Sequence, residues 1–209
     1  MKYICRKITD ELVINGNLNK PEWQKAMEVK LVDNITGLAA KCDTYAMLLW
    51  SNNFLYAGFR CSYEAICATM TQYNDKLYNE DVVELFIDDD RDGKTYIEIE
   101  VNPLNAVLHY CIHNDLKGRT LTFARTEKVI CSEVICDEES KTLTVELAIP
   151  LNEFTTTENM PPKDKDRWHF NLYRIDRKEN GLVEYSALSP TYKDNFHIPS
   201  AFIELEFDQ

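Results

Sequence analysis

The clearest pattern along the chain is a pair of alternating segments between residues 82 and 102. Val83, Leu85 and Ile87 alternate with Glu84 and Phe86, and apolar positions again alternate with acidic or amide ones over residues 97–102. Alternation with a period of two is typical of strands that bury one face. The aspartate-rich segment 88–93 between them predicts a hairpin turn.

The register of this hairpin predicts an electrostatic conflict. If the apolar positions share one face, Glu84 lies opposite Glu98 or Glu100, and like charges that face each other across strands are unfavourable. A basic side chain from a third strand, a cation, a raised carboxyl pKa or a ligand rich in hydroxyl donors could offset the repulsion. Arg174, on a later predicted strand, is the candidate for the basic side chain.

Similar alternation through the rest of the chain predicts an all-β fold. A short helical turn is predicted at Pro21, and the segment that includes residues 63–70 is predicted to be a loop that crosses the end of the sheets, with a brief helix over 63–70 as the alternative. Numerous short strands without a βαβ pattern predict a two-sheet antiparallel β-sandwich, either immunoglobulin-like or a jelly roll. The polar connector 155–166 is too short to separate domains, so residues 1–209 are predicted to form a single domain. The further predicted strands cover residues 3–8, 45–50, 54–61, 107–113, 128–136, 142–149, 168–175, 182–188 and 201–207.

The charge balance narrows the choice of partners. A net charge of -12 and a pI near 4.8 disfavour nucleic acid and anionic membrane surfaces, both of which need clustered lysine and arginine. A neutral partner or a cation fits better. No apolar run approaches the roughly 20 residues of a membrane helix, and the first residues lack the apolar core of a signal peptide.

The cysteines bear on the compartment. The seven cysteines include no CxxC spacing, and Cys61, Cys111, Cys131 and Cys136 fall within predicted strands. This usage is typical of a reducing compartment and of small buried hydrophobic residues. The sequence as written therefore predicts a cytoplasmic protein, or an extracellular or periplasmic one if a leader was removed.

The acidic turn has two interpretations. Asp88, Asp90 and Asp92, followed by Gly93, resemble the first half of a calcium-binding loop, in which alternate carboxylates turn inward on a hard cation. Ile99 stands at the twelfth position, where such loops carry a glutamate. A plain acidic turn is favoured, and Ca²⁺ remains the alternative.

Several stretches, taken together and in order, resemble the family 9 carbohydrate-binding modules. Residues 14–23, INGNLNKPEW, are similar to the opening motif of that family, and residues 55–59, LYAGF, are similar to its next strand. Residues 81–88, DVVELFID, resemble the family's central acidic strand. Near the end, FNLYR at 170–174, SPT at 189–191 and FHIPSAF at 196–202 match further pieces. The resemblance covers nearly the whole chain and implies a sugar-binding β-sandwich.

The resemblance also implies where a sugar would bind. In the family two aromatic rings sandwich a terminal sugar, and charged or amide side chains bind its hydroxyls. Motif matching places the two rings at Tyr78 and Phe196 and a sugar-contacting glutamate at Glu84. Glu100 stands where the family carries an arginine, and Leu188 stands where it carries a tryptophan, so the family's cellulose-end and xylan specificity does not follow. The remaining residues proposed to contact the sugar are Glu100, Asn171, Arg174, Asn195 and His197.

Three functions are open at this stage. The leading hypothesis is a non-catalytic protein that binds an oligosaccharide or polysaccharide. The second is a glycoside-processing enzyme, because two carboxylates that flank a glycosidic bond can act as acid and base or nucleophile. The third is an interaction domain without a small ligand, in which both Tyr78 and Phe196 are buried as ordinary packing residues.

Overall fold

The computed structural model describes residues 1–178 and 181–209. Within these residues the regular structure consists of strands and short 3₁₀ turns, without an α-helix. The 3₁₀ turns are Pro21–Lys25, Leu77–Asn79, Leu151–Glu153 and Pro199–Ala201. The strands are β1 (Lys2–Lys7), β2 (Val29–Lys30), β3 (Val32–Asp33), β4 (Thr44–Trp50), β5 (Phe54–Ser62), β6 (Val82–Asp88), β7 (Thr95–Val101), β8 (Val107–Asn114), β9 (Thr120–Ala124), β10 (Cys131–Asp137), β11 (Thr142–Pro150), β12 (Arg167–Arg177), β13 (Val183–Ala187) and β14 (Ile203–Asp208).

The strands form the predicted β-sandwich. Hydrogen bonds connect them in the order β10-β11-β5-β4-β1-β14-β12-β6-β7-β8-β9, and β13 pairs with β12. One half of this order packs on the other, because apolar side chains of β4, β5 and β11 share a core with those of β6, β7 and β12. The large buried side chains Trp50, Phe59, Trp168 and Phe170 lie in this core.

The sheet is mixed rather than purely antiparallel. β1 runs parallel to both β14 and β4, where it joins the two halves of the sandwich. The other strand pairs are antiparallel within the described ranges. The chain therefore begins and ends in adjacent strands that run in the same direction.

The central hairpin is confirmed together with its register. Val83, Leu85 and Ile87 of β6 point into the main core, as do Ile97, Ile99 and Val101 of β7. Glu84 pairs with Glu100 across the hairpin, and Phe86 pairs with Glu98. The opposite face of the two strands is buried as well, because loops cover it. The strands are thus buried on both sides, and the loops that cover the acidic face form the site described below.

The loop favoured for residues 63–70 is confirmed, and the alternative of a brief helix is wrong. The segment is irregular because two carboxylates at the start of β6 bind its backbone N–H groups. Asp81 accepts a hydrogen bond from the N–H of Cys67 at 2.7 Å, and Glu80 accepts from those of Thr69 and Met70 at 2.7 and 2.9 Å. These bonds replace the internal hydrogen bonds that a helix would make.

The prediction that the cysteines within strands are buried is confirmed only in part. Cys61 is buried, but Cys111, Cys131 and Cys136 are exposed. Two of these, Cys131 and Cys136, belong to β10, the edge strand of its half, where one flank has no neighbouring strand. All seven cysteines are free thiols.

Two short strands and one longer one were not anticipated. The dipeptide strands β2 and β3 and the five-residue strand β9 lack a run long enough for alternation to be recognised. No helix among residues 1–178 and 181–209 is long and apolar enough to cross a membrane.

Candidate functional site

A cavity of about 350 Å³ lies above the acidic face of β6, β7 and β8. Its volume is within the range of small-molecule sites, about 300–1,000 Å³. The floor comes from the sheet, and the walls come from the 3₁₀ turn Leu77–Asn79, from β13 and from residues 194–197. The lining residues are Tyr78, Glu84, Phe86, Glu98, Tyr110, Thr122, Ile175, Tyr185, Asp194, Asn195, Phe196 and His197. We call this space the aromatic cavity.

Three glutamates form the acidic part of the floor. Cross-strand pairing places Glu84 beside Glu100, and Glu98 lies two residues before Glu100 on the same face. Carboxylate oxygens of the three lie within 4.8 Å of one another, and each side chain is at least 96% buried. We call these residues the glutamate cluster. Glu84 and Glu98 reach the cavity, whereas Glu100 lies beneath it.

Burial makes the glutamate cluster hard to ionise. Burial, followed by the charge of Glu98, raises the pKa of Glu84 well above its ordinary value. Burial raises the pKa of Glu98 to about 7. Burial and then the charges of Glu84 and Glu98 raise the pKa of Glu100 well above its ordinary value, against a smaller lowering by the nearby backbone N–H of Tyr78. The cluster therefore carries fewer than three negative charges near neutral pH.

Several oxygens of the cluster have no partner within the described part of the chain. One oxygen of Glu84 and both oxygens of Glu100 are buried without a contact of hydrogen-bond geometry. Buried polar atoms are nearly always hydrogen-bonded, and leaving one unpaired costs about 1–3 kcal/mol. For Glu84, which lines the cavity, a ligand can supply the partner.

Aromatic rings form the walls of the cavity. Phe196 stacks on Tyr173 with ring centroids 4.1 Å apart and an angle of 12° between the planes, and Tyr185 meets Phe196 edge-on at 5.8 Å. One face of the Phe196 ring is therefore covered by protein. Tyr78 lies on a turn and is 36% exposed. Tyr78 and Phe196 thus line one cavity, as the family resemblance implied for its two rings.

A hydrogen-bond network holds the loop that carries Asn195 and His197. Nδ1 of His197 lies 2.9 Å from the hydroxyl of Tyr96, and Asn114 donates to the backbone oxygen of His197 at 3.2 Å. Burial lowers the pKa of His197 to about 4, so its ring is neutral at pH 7. The side-chain oxygen of Asn195 accepts from the N–H of His197. A ligand could still reach the amide nitrogen of Asn195 and Nε2 of His197.

Three of the proposed contact residues do not line the cavity: Glu100 lies beneath it, and the polar groups of Asn171 and Arg174 already bind other parts of the protein. Asn171 is fully buried, and its amide donates to the hydroxyl of Tyr173 and the backbone oxygen of Ser189, both at 2.8 Å. Its oxygen accepts from the N–H groups of Leu172 and Ser189, each at 3.0 Å. Asn171 thus fixes the path of the chain beneath Phe196.

The prediction that Arg174 balances the glutamate cluster is wrong. Arg174 pairs with Val83 across β12 and β6, so its side chain points to the opposite face of the sheet from Glu84. It donates to Thr44 Oγ1 and to the backbone oxygen of Ser62, and it forms an ion pair with Asp176 at 3.6 Å. Of the ways considered to reduce the repulsion between the glutamates, a raised carboxyl pKa is the one that applies.

Sequence reasoning missed several lining residues. Tyr110 pairs with Glu98 across β7 and β8, so the parity of two predicted strands could have found it once their register was known. Phe86 follows from the same alternation as Glu84. Tyr185 and Asp194 come from a strand and a loop that lie 74 or more residues beyond Tyr110, and nothing in the sequence pattern places them beside it.

The acidic turn is held by its own backbone. Asp88 accepts hydrogen bonds from the N–H groups of Arg91 and Gly93 at 2.7 and 2.9 Å. Asp90 accepts from Asp92, and Asp92 accepts from Lys94 and Thr95. Carboxylate oxygens of the three aspartates lie within 4.8 Å of one another, but each already has a backbone partner. This arrangement is that of an acidic hairpin turn, and it adds no support for a calcium-binding loop.

The glutamate cluster is poorly arranged for glycoside hydrolysis. Retaining enzymes place two carboxyl groups about 5–5.5 Å apart, and inverting enzymes place them about 6.5–9.5 Å apart, on either side of the reacting bond. Here one oxygen of each carboxylate lies within 4.8 Å of the others, and all three side chains rise from one face of one sheet. They would approach a sugar from the same side, which suits hydrogen bonding rather than bond cleavage.

A second cavity, also of about 350 Å³, lies at the edge of the same half of the sandwich. His109, Cys111, Phe123, Arg125 and Glu153 are among its lining residues. Arg125 pairs with Glu153 at 2.9 Å, so the charges in this cavity are already matched. This cavity is the principal alternative to the aromatic cavity as a ligand site.

Comparison with known proteins agrees with the fold. Residues 14–206 match the sequence model of the family described as carbohydrate family 9 binding domain-like. No curated protein matches the chain. The crystal structure of a candidate carbohydrate-binding protein from Bacteroides uniformis is similar, with a TM-score of 0.80 at 17% identity and 99% coverage of both chains.

Two further similar structures belong to a carbohydrate-binding module of family 9 from Caldicellulosiruptor kristjanssonii. The complex with cellotriose has a TM-score of 0.70 at 15% identity and covers 100% of this chain and 94% of the other. The complex with glucose has a TM-score of 0.70 at 16% identity, with coverage of 100% and 96%. At these sequence identities the similarity shows a shared fold only.

Proposed function

The chain belongs to the family described as carbohydrate family 9 binding domain-like, and on that premise we propose that it binds a sugar in the aromatic cavity without catalysis. The observation that carries the proposal is the composition of that cavity. Aromatic rings line it together with carboxyl, amide and imidazole groups that can accept or donate hydrogen bonds. Apolar CH faces of a pyranose ring pack on aromatic planes, while its hydroxyls need polar partners.

In this proposal each element of the site has a separate task. Tyr78 and Phe196 contact the faces of the sugar ring, and Glu84 and Glu98 bind hydroxyls from below. Asn195 and His197 bind hydroxyls at the rim with the amide nitrogen and Nε2. Similar structures hold glucose and cellotriose, which supports a saccharide as the ligand class. A few such contacts correspond to dissociation constants of roughly 10 µM to 1 mM, or about 4–7 kcal/mol.

A glycan array followed by calorimetric titration of the best ligands tests the proposal. We expect saturable binding of at least one saccharide and no release of reducing sugar on prolonged incubation. A chain that binds none of a broad set of neutral, acidic and amino sugars would rule out the proposed function. Turnover that Glu84→Gln or Glu98→Gln abolishes would instead establish the enzyme alternative.

A further inference from the structure

We infer that the preferred ligand of the aromatic cavity is an amino sugar with a free, protonated amine, whose ammonium group sits against Glu84 and Glu98. This inference rests on the proposed function and narrows it to one class of saccharide. Three features of the cavity carry it: uncompensated acidic side chains, aromatic rings beside them, and surroundings that suit an ammonium group better than a metal ion.

The first feature is the charge of the site. Glu84 and Glu98 line the cavity with Asp194, and Glu100 lies directly beneath. No lysine or arginine lines the cavity within residues 1–178 and 181–209. In the same ranges, no lysine or arginine forms an ion pair with a glutamate of the cluster. Removing an ionised carboxylate from water without a partner is costly. A ligand that brings a positive charge gains most from such a site.

The second feature is the nature of the walls. Tyr78, Phe86, Tyr110, Tyr185 and Phe196 line the same cavity as the two glutamates. Aromatic faces attract organic ammonium groups through their quadrupole, and they also pack against the CH groups of a sugar ring. The combination of carboxylates and several rings therefore fits a cation that has an apolar body.

The third feature argues against a metal ion. Ca²⁺ takes six to eight oxygen ligands at 2.3–2.6 Å, and Mg²⁺ demands octahedral oxygen coordination. Besides the carboxylates, the lining near Glu84 is mostly aromatic, and Glu100 is fully buried below the floor. An ammonium group needs only a few acceptors and suits this arrangement better.

Ionisation of the cluster gives the inference a second, independent readout. The other titratable groups that surround the cluster are tyrosine hydroxyls, a neutral imidazole and one exposed carboxylate: Tyr78, Tyr96, Tyr110, Tyr173, Tyr185, His197 and Asp194. Burial raises the pKa values of the glutamates, so part of the cluster is protonated near neutral pH. A bound ammonium group favours the ionised form, and its binding therefore releases protons. A neutral sugar offers the carboxylates hydroxyl donors without a positive charge, so it releases fewer protons.

Calorimetric titrations with matched sugars test the inference. The probes are glucosamine, glucose and N-acetylglucosamine, and the corresponding galactose series, measured near pH 6.5 in two buffers of different ionisation enthalpy. We expect each free amine to bind at least about tenfold more tightly than both of its neutral counterparts. We also expect each amine to release more protons on binding than its neutral counterparts.

Variants locate the effect. Glu84→Gln and Glu98→Gln should each remove most of the amine preference, because the amine loses more affinity than its neutral counterparts lose. Glu139→Gln removes one negative charge from an exposed turn far along the chain and should change neither. Thermal unfolding checks that each variant is folded. If Glu84→Gln does not fold, the comparison of amine and neutral sugars on the wild-type chain still tests the inference.

The outcomes separate the two claims. Neutral sugars that bind as tightly as the amines would overturn the inference and leave the proposed function standing. A chain that binds neither class fails both. Calcium that binds without sugar, and is lost in Glu84→Gln, would assign the cluster to a metal and overturn the inference.

Discussion

Glu84 and Glu100 lie directly opposite each other on β6 and β7, with Glu98 beside them and without a basic partner among the described residues. Like-charged residues in this position destabilise a sheet. Their pKa values are raised instead, mainly because they are buried. The acidic floor therefore lowers the stability of the sheet and leaves carboxyl oxygens without a protein partner.

The two proposed contact rings should each be needed for sugar binding. Tyr78→Ala and Phe196→Ala remove apolar surface from the cavity, and we expect each to weaken binding about tenfold or more in calorimetric titration. Tyr192→Ala is a matched control, because Tyr192 is 65% exposed and does not line the cavity. Phe196 also stacks on Tyr173, so its variant should unfold at a lower temperature. Unchanged affinity in both ring variants would remove the rings from the site.

The pH dependence of stability should report the state of Glu98. Burial raises its pKa from 4.5 to about 7, so the folded chain holds the proton more tightly than the unfolded chain. The free energy of unfolding should therefore fall as the pH rises from about 4.5 to about 7. Glu98→Gln should be more stable than the wild type at pH 8, by on the order of 1–3 kcal/mol, and similar to it at pH 4.

Denaturant unfolding at a series of pH values measures this difference. Burial also raises the pKa of Asp88 to about 7, but that group is present in both proteins and cancels in the comparison. Glu139→Gln serves as the control for a change of charge at an exposed position. A wild type that gains stability between pH 5 and 8 relative to Glu98→Gln would contradict the assigned direction.

Glu146 should be essential for the N-terminal part of the fold. This fully buried carboxylate accepts hydrogen bonds from the N–H groups of Asn15 and Gly16 and from Nε1 of Trp23, and it forms an ion pair with Lys20. Glu146→Ala leaves these donors unpaired, so we expect a loss of about 3–5 kcal/mol in denaturant unfolding. Glu139→Ala should cost under about 0.5 kcal/mol. Comparable stability of the two variants would refute this role.

The acidic turn should not depend on calcium. Because Asp88, Asp90 and Asp92 already accept backbone hydrogen bonds, we expect excess chelator to leave the unfolding temperature unchanged. Asp92→Ala should lower the stability by about 1 kcal/mol with or without added Ca²⁺. A chelator-induced drop in the unfolding temperature that Asp90→Asn abolishes would reinstate the calcium loop.

The sequence predicted the central hairpin well because alternation acts over a few neighbouring residues. Val83, Leu85 and Ile87 face the main core, and that placement alone directs Glu84 to the other side. The same parity argument could have placed Arg174 correctly. Trp168, Phe170 and Leu172 belong to the core, so a residue two positions further on the same strand points there too.

The rest of the site depends on contacts between distant parts of the chain. Tyr185 and Asp194 reach the cavity only because β13 packs beside β12 and the following loop folds over the sheet. The brief helix considered for residues 63–70 does not form for a similar reason, since Glu80 and Asp81 bind the backbone of that segment from outside it. Local pattern carries no information about such partners.

A crystal structure of the chain with its tightest-binding sugar tests the central claim most directly. We predict that the sugar ring lies in the aromatic cavity against Tyr78 and Phe196, with a hydroxyl or amine within hydrogen-bond distance of Glu84 or Glu98. A sugar bound at another surface, such as the cavity lined by His109 and Arg125, would contradict the account.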